Sequence, residues 1–286
     1  MRLRTVLIGT FVVIVLLVGV GIYVILHQLG GRPPLVSIGP ACEVRTESGT
    51  VALDPTQMAN AATIAAVGIR RRLPDQAVVV ALAAALQESK LENLDTGDRD
   101  SVGLFQQRPS QGWGTADQIQ DPRYSAGRFY TALLKIEGWQ TMRVTDAAQR
   151  VQRSAFPEAY QKWADESAVL VEALAGRATS AVSCTKVGQP THRGPQAAEA
   201  LGAGLKLDWG NIAAVANADT VGLTLAVGEQ RTGWQYAHWL VAHSTEKGVE
   251  WVRYGTQEWT ASSGHWRQVV DNSTSPRVVA AVYPSS

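Results

Sequence analysis

The sequence predicts an N-terminal transmembrane helix, then an all-α domain, then a small α+β domain. Three observations predict this. Residues 6–26 carry no charge. Residues 54–175 show helical apolar periodicity, restarted repeatedly at Asp-Pro or Pro. After residue 198, helical stretches alternate with short runs of strand character.

The uncharged segment Val6–Leu26 reads VLIGTFVVIVLLVGVGIYVIL. As a helix it spans about 30 Å, the thickness of a bilayer core. Arg2, Arg4 and the α-amino group precede it, and only Arg32 follows closely. The positive-inside rule then makes residues 1–4 a cytoplasmic tip, residues 5–27 the anchor of a single-pass protein in the cell membrane, and the bulk of the chain extracytoplasmic. A cleaved signal peptide is the competing reading. It requires a shorter apolar region ending at small residues, whereas this one ends Tyr23-Val24-Ile25-Leu26-His27-Gln28. Either way residues 33–286 are exported. Residues 28–50 read as a linker, with Gly30-Gly31-Arg32-Pro33-Pro34 breaking any helix.

The chain of 286 residues carries 26 Lys+Arg against 25 Asp+Glu. Setting aside Arg2, Arg4 and Arg32 leaves a slightly acidic exported part. No basic tract with interleaved aromatics occurs, which argues against nucleic acid as a partner. Two cysteines, Cys42 and Cys184, are an even count in an exported chain and suggest a disulfide around residues 43–183. Neither has a CxxC partner or a nearby His, and the five His are scattered. No metal and no cofactor are expected.

Within residues 51–182, Asp54-Pro55 caps MANAATIAAVGIRRRL, and Pro74-Asp75 opens QAVVVALAAALQES. The second helix is apolar all round, as in a buried core helix. Asp121-Pro122 caps RYSAGRFYTALLKIEG. Further helices are expected over Thr145–Ser154 and from Pro157 to Gly176. Between the second and third lies LENLDTGDRDSVGLFQQRPSQGWGTADQIQ, too long and too rich in Gly, Gln and Asp to be a mere connector. Residues 183–197 read as a second linker. In residues 198–286, helices are expected over Gln196–Leu205 and Thr232–Thr245, and strands over Val249–Tyr254, Gln257–Thr260 and Arg277–Tyr283.

Glu88 is the sharpest candidate for chemistry. It ends the apolar helix directly before the long loop. Burial and the negative end of a helix dipole both favour the protonated form of a carboxyl. A protonated carboxyl is what cleaving a glycosidic bond requires.

Glu88-Ser89, followed by Gly103-Leu104-Phe105-Gln106, resembles the E-S … G-L-M-Q pattern of lytic transglycosylases and goose-type lysozymes. The longer stretch ALQESKLENLDTGDRDSVGLFQQRPSQGWGT resembles the lysozyme-like domain of exported actinobacterial cell-wall proteins, over about residues 50–182. The resemblance implies an all-α lysozyme-like domain with Glu88 as general acid and Ser89 holding the reacting sugar. Gly103, Leu104, Phe105, Gln106 and the following Gln107 would line the cleft. The family's later A-Y-N stretch falls at Ala147–Gln152, which has no Tyr-Asn; Gln149 or Tyr160 would stand in for it. Trp113, between two glycines, is placed either as a sugar platform or as an anchor of the loop. Asp95, Asp98 and Asp100 read as a second carboxylate or as turn residues. Arg99 and Arg108 would contact acidic peptide stems or pair with those Asp.

The resemblance implies a membrane-anchored enzyme that cuts the β-1,4 bond between N-acetylmuramic acid and N-acetylglucosamine in peptidoglycan glycan strands. The alternative is a catalytically silent member that grips the wall or serves an envelope or secretion partner. The last part of the chain, with no nucleophile motif, reads as an interaction domain; Trp234 and Trp239 are expected to pack its helix on its sheet.

Overall fold

The computed structural model describes residues 41–185, 188–217, 220–270 and 276–285. The described chain opens with a hairpin. Strand β1 (Cys42–Thr46) pairs antiparallel with β2 (Gly49–Leu53) on one side. On the other it pairs with β3 (Val182–Cys184), which arrives from the far end of the helical region. Cys42 and Cys184 face each other across that ladder and are joined as a disulfide.

The first domain is therefore not all-α, and this corrects the sequence expectation. The strands that close it lie where the expected linkers, 28–50 and 183–197, meet it. Alternation over three to five residues is a weak local signal, and β1 finds its partner β3 only across the whole helical region.

Helix α1 (Pro55–Arg70) starts in a capping box: the Asp54 carboxylate accepts from the Gln57 N–H, and the Gln57 side chain accepts from the Asp54 N–H. Helix α2 (Asp75–Ser89) is the central element, its alanines and all its valines but Val79 buried against α1 and against the later helices. A short α3 (Ala116–Ile119) leads to α4 (Pro122–Leu133), capped by Asp121. Then come α5 (Val144–Gln152) and α6 (Ala164–Leu174). Helices α5 and α6 both pack on α2. Small side chains along α2 allow these close approaches.

The remainder adds α7 (Gly194–Trp209), β4 (Ala214–Ala216), β5 (Gly222–Ala226), α8 (Gln230–Ala242), a short α9 (Ser244–Lys247), β6 (Val249–Tyr254), β7 (Gln257–Thr260), β8 (Trp266–Gln268) and β9 (Arg277–Val282). The strands form one antiparallel sheet in the order β4-β5-β9-β6-β7-β8. On α8, Trp234 packs edge-on against Tyr254 of β6 and Trp266 of β8, as expected of a helix on a sheet. Trp239 instead turns to α7, donating its Nε1–H to Asp208 at 2.8 Å.

Residues 40–286 form one compact unit. Helix α8 packs against α1, α6 and β3. Asp208, at the end of α7, is fully buried and also accepts from Thr63 Oγ1 of α1 at 2.9 Å. The Arg123 guanidinium of α4 lies 2.5 Å from its other oxygen, an ion-pair contact. Removing any one of these partners would leave a buried carboxylate charge less compensated. His238 of α8 is equally buried between the Ala173 carbonyl and the Ala181 N–H.

Among the described residues no helix is long and apolar enough to cross a membrane. The longest helices there, α1 and α7, have 16 residues each, about 24 Å at 1.5 Å per residue. The single-pass architecture and the membrane localisation expected from sequence are corrected accordingly. The expected anchor over residues 5–27 and the tip over 1–4 lie outside the described residues.

Candidate active site

Helix α2 stops abruptly. Lys90 and Leu91, directly after Glu88-Ser89, take left-handed conformations at φ 57° and 64°. Leu91 N–H returns to Ala85 O at 3.3 Å, a closure over seven residues that ends the helix without glycine. Two side chains of α1 hold this turn: Gln57 Nε2 donates to Lys90 O at 2.9 Å, and Asn60 Nδ2 donates to Leu91 O at 2.8 Å. The residues at the helix end are thereby fixed against a buried neighbour.

Glu88 is half-buried at this end and lines a cleft of about 1070 Å³. Tyr160, fully buried, donates its hydroxyl to Glu88 Oε1 at 2.6 Å. Burial is the main reason the Tyr160 hydroxyl is held well above its ordinary pKa, with the Glu88 charge and hydrogen bond adding to it. It stays a donor at every working pH. Among the described residues Glu88 Oε2 has no hydrogen-bond partner, which leaves it for whatever enters the cleft.

Ser89 does not line the cleft. Its hydroxyl is buried, 3.1 Å from Ala85 O and 2.8 Å from Leu104 O, so it ties the end of α2 to the loop. The loop is anchored by its apolar pair: Leu104 and Phe105 are fully buried, with Phe105 stacked on Phe129 at 4.8 Å. Gln152 Nε2 of α5 donates to Phe105 O at 2.8 Å. Gly103 stands at φ 77°, and a Cβ there would lie 2.9 Å from the Ile119 carbonyl. Of the GLFQQ run, Gln106 and Gln107 reach the cleft. Gln106 does so from φ 46°, costly for a residue with a side chain. Gln107 is nearly fully buried and donates to Ser125 O at 3.1 Å.

Trp113 lines the cleft. Its carbonyl accepts from Tyr124 Oη at 3.1 Å, and the following Gly114 (φ 143°) sits so close to the Tyr124 ring that no Cβ fits. Asp98 and Arg99 line the cleft, whereas Asp100 is taken up by Arg108 at 2.8 Å and by the Ser110 N–H at 2.7 Å. Those hydrogen bonds, the Ser110 N–H first, hold the Asp100 carboxyl well below the usual carboxylate range. Asp100 is a turn residue. Arg108 pairs with it and also lines the cleft.

Of the two residues expected to stand in for the missing Tyr-Asn, Tyr160 reaches Glu88. Gln149 donates to Ser154 O at 2.7 Å and does not line the cleft. Sequence reading did not single out Arg128, Lys135, Arg150, Gln152 and Arg153, all of which line it. They come from the middle and end of α4 and from the end of α5, and only the packing of those helices around α2 brings them near Glu88. Among the described residues no group of three or more His, Cys, Asp or Glu is arranged to hold a metal. Compared with protein families and with curated proteins, the chain matches none.

Proposed function

We propose that the chain cleaves the N-acetylated glycan strands of peptidoglycan, with Glu88 as its acid and base. One observation carries the reading. A carboxyl at the end of the central buried helix opens into a cleft large enough for several sugars, with one oxygen fixed by a buried tyrosine and the other free. The E-S … G-L-F-Q resemblance supports the substrate class.

In this scheme the protonated Glu88 gives its proton to the glycosidic oxygen as the bond to the anomeric carbon breaks. The resulting carboxylate then takes a proton from the nucleophile. If that is the 6-hydroxyl of the same sugar, the product carries a 1,6-anhydro ring; if water, a reducing end. A single carboxyl suffices where the substrate's own acetamido or hydroxyl group attacks. Tyr160 keeps the carboxyl aimed through both half-reactions, and Trp113 offers a flat face to a sugar ring.

Digestion of purified peptidoglycan by the full-length chain, beside Glu88→Gln, tests this with mass spectrometry of the products. Soluble muropeptides released by wild type alone are the expected result, their ends identifying the nucleophile. A folded wild type that releases no more than Glu88→Gln overturns it in favour of a catalytically silent, wall-gripping protein.

A further inference from the structure

The walls of the Glu88 cleft carry a charge imbalance that cleaving a neutral sugar chain does not require. Arg99, Arg108, Arg128, Lys135, Arg150 and Arg153 line it, against Glu88 and Asp98. The chain as a whole is nearly neutral, so the excess is local. Three of these cations are at least partly committed: Arg108 to Asp100, Arg99 within 3.9 Å of Asp98, and Arg128 to the Gly112 carbonyl at 2.9 Å. Lys135, Arg150 and Arg153 are exposed and, among the described residues, make no salt bridge, although Asp146, one turn before Arg150 on α5, feels the Arg150 charge. Lys135 follows α4; Arg150 and Arg153 end α5.

A cation at a helix C-terminus is favoured by the helix dipole, and that accounts for Arg150 and Arg153 being basic. It applies equally to Lys135 just past the end of α4, but it does not account for six cations sharing one concavity with the proposed acid. Backbone geometry adds a second observation. Arg99, Gln106 and Arg153, all cleft residues, stand at φ 59°, 46° and 54°. Such conformations are costly for residues with a side chain; at Arg153 the left-handed turn also caps α5, whereas Arg99 and Gln106 adopt theirs in the loop that walls the cleft.

We propose, building on the glycan-cleaving reading, that this cleft selects glycan carrying pendant carboxylates, with Lys135, Arg150 and Arg153 as the recognising cations. In peptidoglycan such groups are the free carboxylates of the short peptide stems. Guanidinium groups match carboxylates in a two-point geometry, and the ammonium of Lys135 adds a point charge. The neutral backbone places the scissile bond at Glu88, and the stems carried beside it meet the basic wall. Glycan whose carboxylates are capped as amides is the poor substrate.

The test measures kcat/KM of the full-length chain on stem-bearing strands and on the same strands after carbodiimide coupling to methylamine. The variant Lys135→Gln/Arg150→Gln/Arg153→Gln runs alongside. Three exposed charge pairs, each worth at most a few-fold in affinity, predict a loss of about tenfold on capping, mostly in KM. The triple variant shows a similar loss on native strands and little further response to capping. Equal kcat/KM of wild type on native and capped strands overturns the inference and leaves glycan cleavage standing. If wild type cleaves neither, cleavage itself fails. The binding of Glu88→Gln to native and capped strands then reads the carboxylate preference separately, and equal binding overturns it. Recovery of activity on capped strands by attached phosphate polymer assigns the wall to phosphate and overturns the carboxylate assignment.

Discussion

The Tyr160 hydroxyl donates a 2.6 Å hydrogen bond to Glu88 Oε1 across 72 residues of sequence. The bond joins the segment before α6 to the end of α2, and it fixes which carboxyl oxygen faces the cleft. Tyr160 is fully buried, so its ring fills space whether or not the hydroxyl is there. Tyr160→Phe keeps the packing and removes the donor. The expected outcome is a fall in kcat of about 10- to 100-fold, as for a lost catalytic hydrogen bond, with KM changed much less. Steady-state kinetics on soluble glycan fragments check this. Wild-type kcat in the variant removes Tyr160 from the machinery.

Ser89 offers a sharper contrast, because the family resemblance and the geometry assign it different work. A sugar-holding serine, replaced by Ala, raises KM and spares stability. A serine bonded to Leu104 O leaves a buried carbonyl without its partner when removed. Ser89→Ala is therefore expected to cost about 1–2 kcal/mol of unfolding free energy. Urea denaturation of the variant, read beside KM, separates the two roles.

How much of this was legible in the sequence follows from the range of each signal. Local chemistry was readable. The Asp54 and Asp121 caps sit where Asp-Pro placed them, and β6 and β7 match their expected bounds residue for residue. The helix expected from Pro157 begins only at Ala164, after a 3₁₀ turn. The hairpin β1–β2 and the strands β4, β5 and β8 went unread, since three to five residues of alternation carry little information before a partner strand is known. Glu88 and the Gln106 loop were readable because they follow one another closely. The basic wall was not: Lys135 and Arg153 sit at the ends of two different helices, and nothing local in either segment points toward Glu88.

The Cys42–Cys184 disulfide closes nearly the whole helical region, with the cysteines 142 residues apart. Both sulfur-bearing side chains are buried at the β1–β3 pairing. Cross-linking so long a loop removes about 4–5 kcal/mol of unfolded-state freedom in the chain-entropy account. The double variant Cys42→Ser/Cys184→Ser is expected to lose about 2–5 kcal/mol, because two buried hydroxyls replace an apolar bridge. Calorimetry of the variant checks it, and wild type with dithiothreitol should approach the same Tm. A variant that melts with the wild type shows that the three-stranded sheet holds without the link.

His238 predicts how the fold responds to acid. Its ring is fully buried, accepts the Ala181 N–H at Nε2 at 3.0 Å, and so carries its proton on Nδ1 toward Ala173 O at 2.8 Å. Burial lowers its pKa from 6.5 to about 4. Between those values the unfolded chain binds a proton at this ring and the folded chain does not. Stability must therefore fall as pH drops from 6.5 toward 4, by up to about 3 kcal/mol from this group. Below 4 both states are protonated and the loss is complete. Above 6.5 neither state is, so the group contributes no slope. Carboxylates titrate in the lower part of the same window, and the comparison that isolates the ring is with His238→Gln, which cannot titrate. Urea unfolding of both proteins at pH 7, 5.5 and 4 is expected to show wild type losing stability more steeply than the variant, although the variant starts lower for want of the fitted ring. Parallel slopes would show that the ring is not held neutral between α6, α8 and β3.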